Sequence, residues 1–576
     1  MELRCRLKPA NSPVRCGLRM TEAWVVFGAG LAPWGALAVL RSLRFLHILQ
    51  LEEYLTLPYL WWLQDNRSRY LRLAFLAPAV AGLAFGIWLA GFAAESVAVV
   101  GSAVWLAAAV VILATQYRTN QKAKKPLGMT ARAWRLLLVE LSLGAAIVGA
   151  AVGFGLLQGT RDGIVLGMFA ATLKATLGGH LVLLANLALW PLEERLRRRF
   201  QDMAATKLRE QQPRIIAITG SAGKTTVKEL VAHLLSARSR VLKTPASFNT
   251  PLGIARTVND SLQGQEYFVV EMGAYKRGEI AKLCRLVGGT DVSAITTMNA
   301  QHLERFGSLE ATAAAKFEIV EGLKPGGTAV LNFDVTALRE RVLRSLDEAH
   351  DRRAQDGRGP ALISFGVESE DVTLRASDVV ETEAGIEFDV THEGETTRVR
   401  TQLMARHNAS NVLAAMGIGL SCGLDVEYMA AAVRQFRPPE HRLQRLETGD
   451  VTVLDDAYNA NPEGIIGAIE VLGGYAPRRR ILVTPGLVEM GKAKAEYHAR
   501  IGAAAAANVD VAFLVGPKQT EDIREAMLTA SFPEASLHVT RSLDEARAVM
   551  AEMTAAGDVV LYANDLPDQY DEFLMI

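Results

Sequence analysis

The run Ile215-Ile216-Ala217-Ile218-Thr219-Gly220-Ser221-Ala222-Gly223-Lys224-Thr225-Thr226 holds residue types that together handle phosphate. Its apolar and β-branched half predicts a buried strand. Gly220 and Gly223 predict a turn tight enough for backbone N–H groups to face an anion, and Lys224-Thr225-Thr226 opens a helix whose N-terminus favours negative charge. A lysine there can reach the terminal phosphates of a nucleoside triphosphate, and the Thr225 hydroxyl can ligate Mg²⁺. Ile218 stands where the first glycine of G-x-x-x-x-G-K-[ST] belongs, which leaves the shorter G-x-x-G-K-T.

Other candidate groups follow strands. Residues 267–271 read as a strand ending on the carboxylate of Glu271, and 292–297 as another, followed by Asn299 and His302. Ligands of open α/β sheets collect at the carboxyl ends of strands, so Lys224, Glu271 and His302 can converge. From 214 onward short apolar strands alternate with helical stretches, which predicts parallel α/β sheets. Residues 336–360 read as charged and irregular, and 361–403 as antiparallel β. Arg437-Pro438-Pro439-Glu440 reads as a hinge. Beyond it, 450–454, 481–484, 511–515 and 559–562 read as strands of a second α/β domain.

Sixty-two basic and 62 acidic side chains cancel over the 576 residues, so charge offers no argument for a nucleic-acid partner and none is expected. Cys5, Cys16, Cys284 and Cys422 form no C-x-x-C pair, so neither a disulfide framework nor a zinc site is expected. The positive mean hydropathy comes from the first two hundred residues. There, 23–40, 73–92, 96–115, 136–157 and 163–190 each approach the roughly 20 apolar residues that span a bilayer. The last contains Lys174 and His180, which could snorkel or face the interior of a bundle. Residues 45–63 read either as an amphipathic helix in the interface or as one packed on the bundle.

Arg118, Lys122, Lys124, Lys125, Arg132 and Arg135 fill one loop, and Arg195, Arg197, Arg198, Arg199, Lys207 and Arg209 follow the last span. Both belong on the cytoplasmic side. Five spans then place the N-terminus outside and the phosphate-binding half in the cytoplasm. Arg4, Arg6, Lys8, Arg15 and Arg19 conflict with that orientation, and Met20 stands immediately before the first span as an alternative start. The expected division is an extension at 1–21, a helical membrane domain at 22–212, a central ATP-binding domain at 213–438 and a C-terminal Rossmann-like domain at 439–576.

Taken together, the phosphate loop at 219–226, Glu271-Met272-Gly273-Ala274 with Gly278-Glu279-Ile280, the stretch from His302 to Glu310, Ala315-Lys316-Phe317-Glu318-Ile319, Arg406-His407-Asn408-Ala409-Ser410-Asn411 and Asp455-Asp456-Ala457-Tyr458-Asn459-Ala460-Asn461-Pro462 resemble the Mur ligase superfamily. Within it the chain is most similar to the ligases that add D-alanyl-D-alanine to a muramyl tripeptide. The likeness covers about 214–565. It implies ATP-dependent amide formation through an acyl phosphate. By this resemblance Gly220, Gly223, Lys224, Thr225 and Thr226 bind the phosphates. Thr225, Glu271, His302 and Lys316 serve Mg²⁺, with Lys316 carried as a carbamate. Asn408 and Asn411 lie on the adenine side, a role that a helix N-cap with a buried turn would equally explain. Arg442 stabilises phosphate charge, and Asp456 binds ribose or orients the incoming group. Asn459 and Asn461 fit as turn residues.

Two departures bear on the substrates. A membrane region replaces the small domain that binds the uridine-diphospho sugar, and Tyr562-Ala563-Asn564-Asp565 lacks the Lys-Gly-Ser-Arg-like element of that ligase. The expectation is a multi-pass protein of the bacterial cytoplasmic membrane. It would join an amino acid or dipeptide to a cell-envelope carboxylate, lipid-linked in one version. A ligase for an exported γ-linked polymer and a non-ligating ATP-binding scaffold or transporter are the alternatives.

Overall fold

The computed structural model describes residues 32, 34–67, 127–246, 248–274, 276–298, 309–341, 360–458, 461–488, 490 and 493–565. They divide into two compact units, with the boundary between Arg195 and Leu196.

The unit that begins at Leu196 is built on two sheets. The first has the order β2-β3-β1-β4-β5-β6-β7-β8-β9, comprising β1 Arg214–Thr219, β2 Val241–Lys243, β3 Tyr267–Glu271, β4 Thr290–Ile295, β5 Leu323–Asn332, β6 Ala361–Gly366, β7 Leu374–Thr382, β8 Gly385–His392 and β9 Glu395–Thr401. β1 lies between β3 and β4, parallel to both. Side chains alternate across a strand, so β1 serves two cores. Ile216 and Ile218 pack with Val227, Leu230 and Leu234 of the helix Lys224–Ser236 and with Val412 and Leu413 of the helix Asn408–Ser421. Ile215 and Ala217 pack on the opposite face with Ile254, Val258, Ile280 and Leu283. Burial on both faces explains why this strand is a continuous apolar run.

Only part of 361–403 is antiparallel. β6 extends the sheet parallel to β5, β7 starts parallel to β6, and only the β7-β8-β9 ladders are antiparallel. At 336–341 the chain is helical, not irregular.

The second sheet has the order β10-β11-β15-β12-β13-β14, with β10 Gln444–Thr448, β11 Val451–Asp456, β12 Arg480–Thr484, β13 Val511–Val515, β14 Leu537–Thr540 and β15 Val559–Ala563. All pairings but β10-β11 are parallel. Its strand carboxyl ends carry Asp456, Thr484 and Asn564.

The last turns of the helix Gly178–Gln211 belong to this same unit. Ala204 and Leu208 enter the core beside Ile254 and Val258. Lys207 Nζ donates to the carbonyls of Val258 (3.1 Å) and Asn259 (2.9 Å), and Asn259 Nδ2 donates to Phe200 O.

The unit ending at Arg195 is helical. The helix Ala131–Gln158 contains the expected span 136–157 and is long and apolar enough to cross a membrane; the bent pair described next is the other candidate among the described residues. The expected span 163–190 is instead two segments, Leu166–Thr176 and Gly178 onward, bent by 75° at Leu177. Lys174 faces the interior, 3.1 Å from the buried Glu140 and donating to Ser42 Oγ, while His180 is exposed. Residues 45–63 are not one helix. A helix at 34–51 ends at a turn where Glu53 and Tyr54 take positive φ, and Thr56–Asp65 follows. Phe45, Leu49, Tyr59 and Leu63 are buried with Leu136 and Ala185, which is the bundle-packed alternative. The spans 73–92 and 96–115, residues 1–31 and the loop at 116–126 lie outside the described residues.

Candidate functional site

β1 ends at Thr219 and the chain turns through Gly220 and Gly223 into the helix Lys224–Ser236. Gly223 has φ +81°, and a Cβ there would meet Asn411 Oδ1 at 2.0 Å. A Cβ on Gly220 would meet Thr296 Oγ1 at 1.9 Å. Both glycines are therefore required by close approach, one to the helix at 408 and one to the end of β4. Thr296 Oγ1 donates to Ala222 O at 2.5 Å, and Asn332 Nδ2 donates to Thr296 O and Ser410 Oγ. These contacts hold the loop from beneath.

Lys224 Nζ folds over its own loop, donating to Gly220 O (2.9 Å) and Ser221 O (3.2 Å). Desolvation lowers its pKa, with Glu271 opposing that shift and Arg442 adding to it. Thr226 is buried in the same first helical turn. Thr225 Oγ1 donates to Glu271 Oε2 at 2.9 Å, and Asn249 Nδ2 donates to Glu271 Oε1 at 3.2 Å. Glu271, at the end of β3, is buried.

Lys316 lies on the helix Leu309–Glu321 and is buried. Its pKa is driven well below the ordinary lysine range, first by burial and then by the charge of Lys224. The two ammonium groups are thus close enough to oppose each other, and the neutral form of Lys316 is favoured.

From the second sheet's side, Arg442 stacks over the Tyr458 ring at 4.6 Å and is within electrostatic reach of both Lys224 and Asp456. Asp456 Oδ1 accepts from Leu443 N at 3.1 Å. Burial pushes its carboxyl up to about 7, against the opposing pull of Arg442 and the Leu443 N–H. His441 and Leu443, on either side of Arg442, have φ of +59° and +49°.

Asn408 and Asn411 are buried and bonded to each other at 2.7 Å, and Asn408 Nδ2 donates to Met404 O. The N-cap position is held by His407, with no side-chain cap bond. Asn461 caps the helix Pro462–Gly473 by accepting from Gly464 N. His302 and Asn459 lie outside the described residues.

The structure thus gathers Lys224, Thr225 and Glu271 at one loop, with Lys316 and Arg442 within electrostatic range of Lys224, and Asp456 within that of Arg442. Sequence reasoning missed Lys228, Thr244, Asn249, Thr296 and Asn332. Lys228 carried one usable signal, its spacing of one helical turn from Lys224.

Replacing Gly223 with alanine tests the cradle. The positive φ costs about 1–2 kcal/mol, and the new methyl group must also displace Asn411. The expected result is an ATP dissociation constant raised at least tenfold, read by calorimetry. Gly278 has φ +89° but nothing within 4 Å of its Cβ position, so Gly278→Ala should lower the melting temperature and leave ATP affinity unchanged.

Comparison with known proteins accounts for this arrangement. Residues 218–419 match the profile described as the Mur ligase middle domain, and 441–564 that of the Mur ligase glutamate ligase domain; neither reaches residues 1–217. The UDP-N-acetylmuramoyl-tripeptide–D-alanyl-D-alanine ligase of Escherichia coli strain K12 is 32% identical over 329 residues, 57% of this chain and 70% of that enzyme. The Bacillus subtilis strain 168 enzyme of the same name is 29% identical over 367 residues, 63% of this chain and 75% of that one. The fold is similar to that of the MurF ligase of Thermotoga maritima solved in complex with ADP, with a TM-score of 0.56, 24% identity, and coverage of 65% of this chain and 82% of that one. With a phosphate loop, a buried carboxylate and a buried lysine on the same matched segments, the chain belongs to the Mur ligase family of ATP-dependent ligases.

Proposed function

We propose that this protein is a membrane-anchored ligase that joins an amine to the carboxylate of a peptidoglycan-type precursor at the membrane surface, through an acyl phosphate. One observation carries this reading. Thr225 Oγ1 donates to the buried carboxylate of Glu271 at the loop where Lys224 lies, and the buried Lys316, whose charged form is disfavoured by burial, is within electrostatic range of Lys224.

In the proposed reaction a carboxylate oxygen of the acceptor attacks the γ-phosphorus of ATP, and ADP leaves with the bonding electrons. The amine then attacks the acyl carbon, inorganic phosphate departs, and the amine's proton is lost. Lys224 and Arg442 offset the negative charge that moves along the phosphates. Gly220, Gly223 and Thr226 shape the cradle, and Asn408 and Asn411 brace it through Gly223. Asp456 receives a ribose hydroxyl or orients the incoming ammonium.

The donor set suits Mg²⁺. Thr225 Oγ1 and Glu271 Oε2 are hard oxygen donors held together at the phosphate loop, 2.9 Å apart. Thr225 and Glu271 would hold the ion, with His302 at a second metal site, and it would supply neutralisation of the phosphate charge. Lys316 suits carbamylation: its neutral amine adds to CO₂ and loses a proton, giving an N-bound carboxylate beside the positive Lys224 and able to join the metal's ligands.

The relatives' name supplies the substrate class, a muramoyl peptide acceptor and a dipeptide amine such as D-alanyl-D-alanine. The helix Ala131–Gln158 exposes Leu138, Ile147, Phe154 and Leu157, and this apolar face supports membrane anchoring; a multi-pass domain and a lipid-linked acceptor are the further parts of the proposal. Full-length protein in membranes, given ATP, labelled D-alanyl-D-alanine and total lipid extract, should release phosphate only with the amine present and place label in a lipid-linked glycopeptide. Amine-independent hydrolysis, or label in a water-soluble polymer, would refute the reading.

Asp456 gives a pH signature. Its folded pKa of about 7 lies above the ordinary carboxyl value, so the unfolded chain ionises first as pH rises. The stability this confers is complete at low pH and falls between the ordinary value and about 7. Asp456→Asn should therefore match the wild type in melting temperature near pH 4 and exceed it above pH 7. In activity the sign reverses, because the charged carboxylate is the working form: wild-type kcat/KM for ATP should rise through about pH 7, and the variant should lack that limb.

A further inference from the structure

We infer that Lys228 is a positioning residue of the metal site, setting Mg²⁺ affinity by pinning the 244–249 loop, and with it Asn249, against Glu271. The inference rests on the proposed assignment of Glu271 as a Mg²⁺ ligand.

Lys228 follows Lys224 by one helical turn, yet serves a different neighbourhood. Its side chain is fully buried. Nζ donates to Ala246 O and lies 3.5 Å from Glu229 Oε1 and 3.7 Å from Glu271 Oε2. Lys224 instead bonds the phosphate loop's own carbonyls. A buried ammonium costs several kcal/mol unless it is paired and hydrogen-bonded. Glu229 is partly exposed and also engages Lys243, so Glu271 is the buried counter-charge to Lys228.

The bonded carbonyl belongs to a residue in an uncommon conformation. Ala246 has φ +45°, which costs a non-glycine residue energy and persists only when its surroundings enforce it. The same loop touches Glu271 twice: Thr244 Oγ1 accepts from Glu271 N at 3.2 Å, and Asn249 Nδ2 donates to Glu271 Oε1 at 3.2 Å. With Oε1 held by Asn249, Oε2 is turned to Thr225 Oγ1, which donates to it at 2.9 Å. Lys228 closes this chain from the helix to the loop to the carboxylate. Removing it leaves Ala246 O without its donor and frees the loop that orients Glu271.

Full-length protein in lipid nanodiscs, titrated with Mg²⁺ in the presence of ADP by calorimetry and assayed in parallel for amine-dependent phosphate release at fixed ATP, tests this. Lys228→Met should raise the half-saturating Mg²⁺ concentration at least tenfold, with turnover at saturating Mg²⁺ within about threefold of wild type. Lys228→Gln, which can still donate to Ala246 O, should recover most of the affinity. Asn249→Ala should reproduce the Lys228→Met shift, and the double variant should add little to either. An unchanged half-saturation in a folded Lys228→Met would overturn the inference and reduce Lys228 to a structural cation. A lowered value in Lys228→Met would mean that its ammonium competes with the metal, and would also overturn the inference. Should Lys228→Met not fold, Asn249→Ala decides alone: an unchanged half-saturation overturns the inference. Glu271→Gln separates the underlying reading: if it leaves the Mg²⁺ dependence unchanged, the metal assignment fails whatever Lys228 does.

Discussion

Lys316→Ala is expected to lower turnover by about 10³-fold, at the upper range for loss of one preorganised electrostatic group, while ATP still binds. Lys316 is buried, and burial and then Lys224 both disfavour its charged form, which makes it poorly suited to holding phosphate by charge. A carbamate turns that liability into an anion placed beside a cation. The variant leaves a space where a small carboxylate can enter, so formate or acetate at high concentration should restore part of the rate. Wild-type enzyme stripped of bicarbonate should slow and recover when bicarbonate returns. Failure of both restorations would leave Lys316 a helix lysine whose loss merely disturbs packing. Because Lys224 helps keep Lys316 neutral, the carbamate reading also predicts coupling between the two sites.

The residues that sequence exposed and those it hid differ in how they are positioned. Lys224, Thr225 and Glu271 were legible because strand ends and a glycine turn are local signals, and parallel sheets bring strand ends together by topology. Lys228 and Asn249 were not, since a lysine within a helix ordinarily reads as a solvated charge and an asparagine before Thr-Pro as a turn. Their importance comes from Ala246 O and Glu271, contacts across 18 and 22 residues of sequence. Asn408 and Asn411 were visible as a motif, but both candidate roles missed the contact of Asn411 with Gly223, which depends on two helices meeting.

In the N-terminal unit, apolar composition marked helices but not their breaks. The bend at Leu177 and the turn at Glu52–Leu55 lie beside tertiary contacts that composition does not report, such as Tyr59 Oη donating to Gly179 O. β6 was misread because alternation describes a strand's burial pattern and is silent on which neighbour it joins.

Lys224→Met should lower kcat/KM for ATP by about 10³-fold, the cost of removing a charge-assisted contact from a desolvated phosphate site. Lys224→Arg should not rescue it. The ammonium fits between Gly220 O and Ser221 O at 2.9 and 3.2 Å, in a loop whose glycines leave no room for a Cβ, and a planar guanidinium has neither the size nor the point-like charge for that space. The second consequence is sharper. With Lys224 uncharged, the electrostatic opposition to Lys316 protonation is lost, so the Lys316 amine becomes harder to keep neutral and to carbamylate. Lys224→Met should therefore need more bicarbonate than wild type to reach its own maximal rate. The Lys224→Met, Lys316→Ala double variant should be less impaired than the product of the single losses. Strict multiplication of the two losses, with no change in bicarbonate dependence, would show that the lysines act independently and that Lys224 serves the phosphates alone.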